Sequence, residues 1–201
     1  MANERSTKLA VFFPGIGYTI EKPLLHYSRK LTAENGYEIR TISYSGFPDS
    51  IRGDRNKMEE SFRIALSRAE DALSDVDISK YDDILFFGKS IGTIVAAKIA
   101  ADSKAGNHIR FVLYTPLDDT FSFPLRKAIA FTGSDDPWVG KEKSQIEKLC
   151  RERDIPCRII AGGNHSLETG DTMRDIENIR IVMGDTESFV KGRKSLDNFK
   201  I

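Results

Sequence analysis

Residues 84–92 read ILFFGKSIG, and residues 93–101 read TIVAAKIAA. The opening apolar run has the length of a strand buried on both faces, and the second run has the length of a helix. Between them, Gly88, Ser90 and Gly92 fit the pattern G-x-S-x-G. A serine at so sharp a turn has a strained backbone, and larger residues at the two glycine positions would collide with the neighbouring strand and helix. The segment therefore predicts a strand, a turn that holds the Ser90 hydroxyl clear of the sheet, and a helix.

The same residues allow other interpretations. Gly88, Lys89 and Ser90 also form the closing triplet of a phosphate-binding loop, but that loop needs a glycine where this chain has Asp83. Ser90 could instead be a helix N-cap with no chemical role. Lys89 is either the variable position of the turn, packed over the sheet edge, or a charge that helps an anionic substrate or lowers the pKa of the serine. We favour a nucleophilic Ser90 and a packed Lys89.

Short apolar runs alternate with longer helical segments along the whole chain. The predicted strands are Leu9–Phe13, Glu38–Ser43, Ile84–Phe87, Ile109–Tyr114, Ala128–Phe131 and Cys157–Ile160. The predicted helices are Ile20–Ala33, Arg55–Leu73, Ser90–Ala101, Lys141–Arg153 and Thr172–Met183. Most strands are continuous apolar runs, which favours a parallel sheet covered on both faces. The order predicts a doubly wound α/β fold with a mainly parallel six-stranded sheet, whose ligand site lies beyond the carboxyl ends of the strands.

Composition excludes several classes of protein. The chain has 201 residues, with 30 Lys+Arg against 30 Asp+Glu, which fits one domain over residues 1–201 and no basic face for nucleic acid. We find neither a secretory signal nor an apolar run of membrane-spanning length, and therefore predict a cytoplasmic protein. Cys150 and Cys157 are then reduced, and three scattered histidines give no metal-ligand cluster; we also predict that no cofactor is required. Residues 191–201 are interpreted as a flexible polar tail.

Two loops after later strands carry groups that would activate a nucleophilic serine. Asp135 and Asp136 follow the fifth predicted strand, and His165 follows the sixth. Both loops leave the carboxyl ends of their strands, so their side chains should converge on the edge where Ser90 lies. A base takes the serine proton and a carboxylate orients that base, so the histidine and one aspartate are the candidates. Asp136 could also be only the cap of a following helix.

The chain order of serine, aspartate and histidine resembles the α/β-hydrolase superfamily, and is similar to small lidless members such as dienelactone hydrolases. The resemblance runs from the first strand to the final helix. The G-x-x-D pattern of the family falls on Gly133 and Asp136, and its glycine-preceded histidine falls on His165. The resemblance implies Asp136 as the acid, a reduced fold without a cap domain, and an oxyanion donor in the loop of residues 13–18, at the N–H of Ile16.

Together these residues predict a serine hydrolase that cleaves a carboxylic ester or thioester of a small acyl substrate. The N–H of Ile91, at the helix N-terminus, points to where negative charge would develop. Aromatic residues near strand ends are candidate walls of the pocket: Tyr18, Phe47, Trp138 and Phe121. The last lies in the long loop 115–127, where loop packing is an equally good explanation. Hydrolysis of an amide, lactone or C–C bond, or binding without catalysis, are the alternatives.

Overall fold

The computed structural model describes residues 7–139 and 145–193. Within them the strands are β1 (Lys8–Phe13), β2 (Glu38–Thr41), β3 (Asp83–Lys89), β4 (Ile109–Tyr114), β5 (Ala128–Gly133) and β6 (Cys157–Ile160). The α-helices are α1 (Pro23–Glu34), α2 (Arg55–Leu73), α3 (Ile91–Asp102), α4 (Gln145–Arg151) and α5 (Thr172–Val190). Short 3-10 helices cover Ile78–Lys80, Gly106–His108 and Asp118–Ser122.

The strands form one parallel sheet in the order β2-β1-β3-β4-β5-β6. The direction of winding reverses between β1 and β3, which is the place where doubly wound sheets open a crevice. At that edge Phe13 pairs with Gly88, and Lys89 pairs with Tyr114 of the next strand. The prediction of a doubly wound six-stranded sheet is confirmed, and every strand pair is parallel.

Helices cover both faces of the sheet and divide the core in two. The cluster under α2, α3 and α4 includes Ala65, Val95 and Ile146. The cluster under α1 and α5 includes Leu24 and Val182. Successive strand residues face opposite clusters, so strands buried on both sides must be apolar at nearly every position, as the sequence pattern indicated.

Among the described residues, the largest differences from the predicted helix boundaries are at the start of α1 and the end of α5. Helix α1 begins at Pro23 and not at Ile20, because a turn closed by the Lys22 N–H and the Thr19 carbonyl (3.1 Å) precedes it. Proline lacks an N–H and so suits the first helical position. Helix α5 continues to Val190, because its buried stripe extends beyond the segment that sequence periodicity had marked. The predicted start of α4 at Lys141, and residues 194–201 of the predicted tail, lie outside the described residues.

The long loop 115–127 packs against the fold and is partly helical. Its 3-10 helix places the Thr120 hydroxyl 2.6 Å from the Thr93 hydroxyl at the start of α3. Phe121 is 3% exposed and belongs to the core cluster under α2 and α3. The structure therefore places Phe121 in the core and not in a pocket wall, and loop packing accounts for this residue.

Over the described parts of the chain, no helix combines the length and the apolar character that crossing a membrane requires. No insertion large enough to be a cap domain interrupts the order of strands and helices there. The carboxyl edge of the sheet is therefore bordered by its own connecting loops, and those loops carry the candidate residues.

Candidate active site

The turn between β3 and α3 holds Ser90 in a strained conformation. Its φ and ψ are 55° and −125°, a region that costs a non-glycine residue on the order of 1–3 kcal/mol. The Ser90 N–H donates to the Tyr114 carbonyl at 3.0 Å, which continues the ladder to the end of β3. The Ser90 side chain makes no capping hydrogen bond to α3, so the N-cap interpretation does not account for this serine.

The glycines of the motif are required by close packing. A Cβ at Gly88 would lie 2.7 Å from the Cα of Thr93, and a Cβ at Gly92 would lie 2.2 Å from the carbonyl oxygen of Phe13. Real Cβ atoms do not approach backbone so closely, and backbone cannot rotate away as a side chain can. Glycine at position 88 therefore lets the end of β3 pack against the first turn of α3, and glycine at position 92 lets α3 pack against the end of β1.

Ser90, His165 and Asp136 are joined by two short contacts. The Ser90 Oγ lies 2.7 Å from the Nε2 of His165, and the Nδ1 of the same ring lies 2.7 Å from Asp136 Oδ2. The Asp136 side chain is fully buried and that of His165 is 16% exposed. A carboxylate can only accept, so Nδ1 carries the proton and Nε2 accepts from the serine hydroxyl. The structure brings these three predicted residues together.

The second oxygen of Asp136 is also occupied. Asp136 Oδ1 accepts a hydrogen bond from the Trp138 N–H at 2.9 Å, so this residue stabilises the local turn as well as contacting His165. The neighbouring Asp135 is exposed, and its Oδ1 lies 3.2 Å from the Ser134 hydroxyl. The geometry thus distinguishes the two aspartates, and among the described hydrogen bonds it is Asp136 that contacts the imidazole.

The acid loop after β5 and the base loop after β6 are held against each other by backbone contacts. The Asp135 N–H donates to the Gly163 carbonyl at 2.9 Å, and the Gly162 N–H donates to the Ser134 hydroxyl at 2.8 Å. A Cβ at Gly133 would lie 2.0 Å from the Gly163 carbonyl oxygen. The two loops can approach this closely only because glycine occupies the contact.

Asn164 organises the base loop, a role that the sequence analysis missed. Its side-chain oxygen accepts from the N–H groups of Ser166 (2.7 Å) and Glu168 (3.2 Å). Its backbone N–H donates to the Glu168 carbonyl at 2.9 Å. The signal was an asparagine directly before the histidine, because asparagine side chains commonly satisfy backbone groups of the turn that follows them.

Burial lowers the pKa of His165 below its ordinary value, and the hydrogen bond with Asp136 opposes part of this shift. The positive charge of Lys89 lowers the pKa further. The ring of Trp138 stacks on the imidazole, with centroids 5.5 Å apart and planes 30° from parallel. The lowered pKa favours the neutral imidazole of His165, whose ring lies between an aromatic ring and a carboxylate.

Comparisons with known proteins identify this architecture. No family model matches the chain, and neither does any curated protein. Among solved structures, an alpha-beta serine hydrolase homologue from Coxiella burnetii is 19% identical, with 90% of this chain and 86% of that chain covered and a TM-score of 0.61. The chain has the α/β-hydrolase fold.

Two further structures agree. A serine hydrolase without a lid from Xanthomonas campestris is 11% identical over 94% of this chain and 85% of that chain, with a TM-score of 0.56. An esterase from Pyrococcus furiosus is 12% identical over 94% of this chain and 84% of that chain, with a TM-score of 0.60. At these identities the likeness shows the fold, and the fold expected from the superfamily resemblance is confirmed.

In this α/β-hydrolase fold, the segments that carry the two predicted oxyanion donors border Ser90. Ile91 is the first residue of α3, so its N–H has no acceptor within the helix. Ile16 lies in a turn that is closed by two backbone hydrogen bonds between Gly15 and Tyr18, at 3.0 and 3.3 Å. A Cβ at Gly15 would lie 3.3 Å from the Ser90 Cβ, so the turn packs directly against the nucleophile position. Ile16 thus stays the predicted second donor.

The predicted aromatic walls of the pocket have different surroundings. Trp138 contacts the triad and lines a groove of about 590 Å³ that also touches Ile51 and Met58. Tyr18 is 7% exposed, and its hydroxyl accepts from the Leu24 N–H at 3.1 Å. Phe47 packs against the core, with its ring centroid 5.8 Å from that of Tyr44. Only Trp138 of these residues is placed by its contacts beside the imidazole.

The two cysteines lie away from the triad. Cys150 is buried in α4, Cys157 begins β6, and no disulfide joins them. A hydrogen bond between the two thiols, together with burial, raises the pKa of Cys150. In residues 7–139 and 145–193, no three His, Cys, Asp or Glu side chains converge as a metal site would need.

Proposed function

We propose that the protein is a serine hydrolase that cleaves a carboxylic ester or thioester through a covalent acyl-enzyme. The observation that carries the proposal is the line of two 2.7 Å contacts from the Ser90 hydroxyl through His165 to Asp136. A serine, a base and an orienting carboxylate in this geometry are the parts that nucleophilic catalysis needs. The strained backbone of Ser90, whose side chain caps nothing, supports a role in chemistry.

The nucleophile is generated by proton transfer to His165. The Nε2 atom accepts the proton of the Ser90 hydroxyl as its oxygen attacks the substrate carbonyl. Asp136 holds the proton on Nδ1, which fixes the tautomer, and its charge stabilises the imidazolium that forms. Because burial lowers the pKa of His165, the base is unprotonated before the substrate arrives.

The tetrahedral intermediate carries its negative charge on the former carbonyl oxygen. The N–H groups of Ile91, at the start of α3, and of Ile16, next to Gly15 in the turn that packs against Ser90, are the proposed donors to this oxyanion. The imidazolium then gives its proton to the departing alcohol or thiol as the bond to the acyl carbon breaks. Water attacks the acyl-enzyme with His165 as base, which releases the acid and restores the Ser90 hydroxyl.

The groove next to Trp138 combines apolar walls, which could hold an acyl group, with the charged side chains Arg52, Asp54 and Arg55. Its volume of about 590 Å³ falls within the usual range for small-molecule sites. Trp138 forms one wall, so a substrate lying in the groove would reach the imidazole along the indole ring. Ester or thioester chemistry is proposed because the Pyrococcus furiosus neighbour is described as an esterase. Amide, lactone and C–C bond substrates are the alternatives on the same triad.

A fluorophosphonate probe tests the nucleophile directly. We expect the wild-type protein to be labelled covalently and Ser90→Ala to be unlabelled, because the probe reacts only with an activated serine. The exposed Ser122 supplies the control, and Ser122→Ala should label at the wild-type rate. Intact-mass spectrometry measures the adduct. Labelling of Ser90→Ala, or no labelling of the wild type, would remove the basis of the proposal.

A substrate panel then separates the candidate reactions. We expect turnover of 4-nitrophenyl esters and acyl thioesters of increasing chain length, with a decline once the acyl group exceeds the groove. Labelling without turnover of any member of this panel would redirect the proposal to amide, lactone or C–C bond substrates. Absence of both would favour a binding protein on the same fold.

A further inference from the structure

Lys89 is a buried cation directly beside the nucleophile. It is the last residue of β3, immediately precedes Ser90, and is 1% exposed. Lysine is almost never fully buried unless it is paired, because removing an ammonium from water is costly. Its face of the strand also carries Phe87, in the cluster beneath α1 and α5. A methionine or leucine would fill such a position without that cost, so the charge itself requires an explanation.

The immediate contacts of Lys89 do not neutralise it. Its Nζ lies 4.9 Å from the centroid of the Tyr18 ring, a cation–π contact. The alkyl stem packs near Gly15, where a Cβ would lie 3.4 Å from Lys89 Cγ. Among the hydrogen bonds and ion pairs of the described residues, none involves this ammonium. The charge is therefore buried against an aromatic face and has no carboxylate in direct contact.

Charged groups of the surrounding loops interact electrostatically with this ammonium. Asp136 from the acid loop and Glu168 from the base loop both favour its charged form. The ammonium in turn lowers the pKa of His165, because it disfavours a second positive charge on the imidazole. Tyr18, from the turn after β1, contributes only a neutral ring, since burial keeps its pKa far above neutrality. The four groups come from three loops that meet at the carboxyl edge of the sheet.

We propose that Lys89 is a positioning residue of the site, whose buried charge next to the Ser90 turn acts through His165, keeping the imidazole unprotonated as the solution becomes acidic. The proposal rests on the proposed function of Ser90, His165 and Asp136. It requires no contact between Lys89 and the substrate.

The order in which Lys89 and His165 ionise agrees with this role. Burial lowers the pKa of Lys89 to about 7, against the opposing effect of Asp136 and Glu168. The pKa of His165 is lowered from 6.5, so Lys89 carries its charge over the pH range in which His165 would take up a proton. Because the interaction is buried, salt should screen it much less than it screens a surface charge pair.

The pH profile of Lys89→Met tests the role in catalysis. The quantity measured is the ratio of kcat/KM at about pH 5.5 to the plateau value of kcat/KM, for a 4-nitrophenyl ester. We expect this ratio to be about threefold or more lower in Lys89→Met than in the wild type. The reason is that removing the ammonium lets His165 bind a proton at higher pH. Lys98→Met is the matched control, since Lys98 is on α3 and pairs with Asp102. Its pH profile should be that of the wild type, and the Lys89→Met profile should persist in 0.5 M salt.

A direct titration separates this proposal from the proposed function. Imidazole NMR of His165, assigned with His165→Ala, gives its titration midpoint whether or not the protein hydrolyses esters. We expect a higher midpoint in Lys89→Met and in Lys89→Gln than in the wild type. An unchanged or lower midpoint in the folded variants overturns the proposal, even if Ser90 is labelled normally. A higher midpoint with an unreactive Ser90 would instead retain the electrostatic role of Lys89 and reject the hydrolase.

Discussion

The His165→Ala variant is expected to lose about 10⁵-fold or more of the wild-type kcat for an ester substrate while remaining folded. The imidazole is the group that contacts the Ser90 hydroxyl, at 2.7 Å, and without it the serine has no base. The side chain lies in a loop and is 16% exposed, so its removal leaves both core clusters intact. Steady-state kinetics give the loss, and thermal unfolding gives the stability.

The two aspartates provide an internal comparison for this prediction. Asp136→Asn should lower kcat by about 10⁴-fold, because an amide can hold the imidazole in the wrong tautomer. Asp135→Asn changes the same chemical group one residue earlier and should leave kcat within about twofold of wild type, since this side chain is exposed and its described hydrogen bond is with Ser134. Equal losses in the two variants would contradict the assignment of the acid, and activity retained in His165→Ala would contradict that of the base.

The serine turn between β3 and α3 and the sheet itself could be predicted because each is specified by a local pattern. Strands buried on both faces must be apolar throughout, and the serine turn requires glycine at both flanking positions for the steric reasons that Gly88 and Gly92 illustrate. The convergence of Asp136 and His165 followed from topology, because parallel strands end at one edge. Separating Asp136 from Asp135 needed the family pattern, and in the structure Asp136 Oδ2 lies 2.7 Å from the imidazole.

The surroundings of the site could not be predicted, because they depend on contacts between distant segments. Phe121 and Trp138 both follow strand ends in the sequence, yet one packs in the core and the other stacks on His165. Lys89 is buried where the turn at Gly15 approaches it, and a local pattern does not encode that approach. A sequence motif thus indicates which groups react, whereas the ionisation of those groups is determined by which loops cover them.

The Lys89 charge also connects chemistry with stability. The pKa of Lys89 is about 7 in the folded protein and near 10.5 in the unfolded chain. Between about pH 7 and pH 10.5 the folded protein therefore binds fewer protons at this residue than the unfolded chain does. The free energy of unfolding therefore rises with pH across this window and is lowest, with respect to this group, below about pH 7. A residue kept at such a cost is consistent with a contribution to function, as the pH profile of Lys89→Met is designed to detect.

The Gly133→Ala variant is expected to lose roughly 10²-fold in kcat/KM, because it separates the acid loop from the base loop. The added methyl would lie 2.0 Å from the Gly163 carbonyl oxygen and 2.7 Å from that of Asn164, and both atoms are backbone. Relief requires the base loop to move, which lengthens the contact of His165 with Asp136. The strain should also lower the free energy of unfolding by about 1–3 kcal/mol.

Gly184→Ala supplies the matched control for this substitution. Gly184 is exposed on α5, and nothing lies within 4 Å of the Cβ that alanine would add. The same change there should leave kcat/KM unaltered and raise the free energy of unfolding by about 0.5–1 kcal/mol, because alanine loses less backbone entropy in a helix. Opposite signs of the stability change in the two variants would show that the contact between the loops, and not the glycine-to-alanine change itself, positions the base. If Gly133→Ala is as active and stable as wild type, the two loops do not touch as described, and the placement of His165 against Asp136 needs another cause.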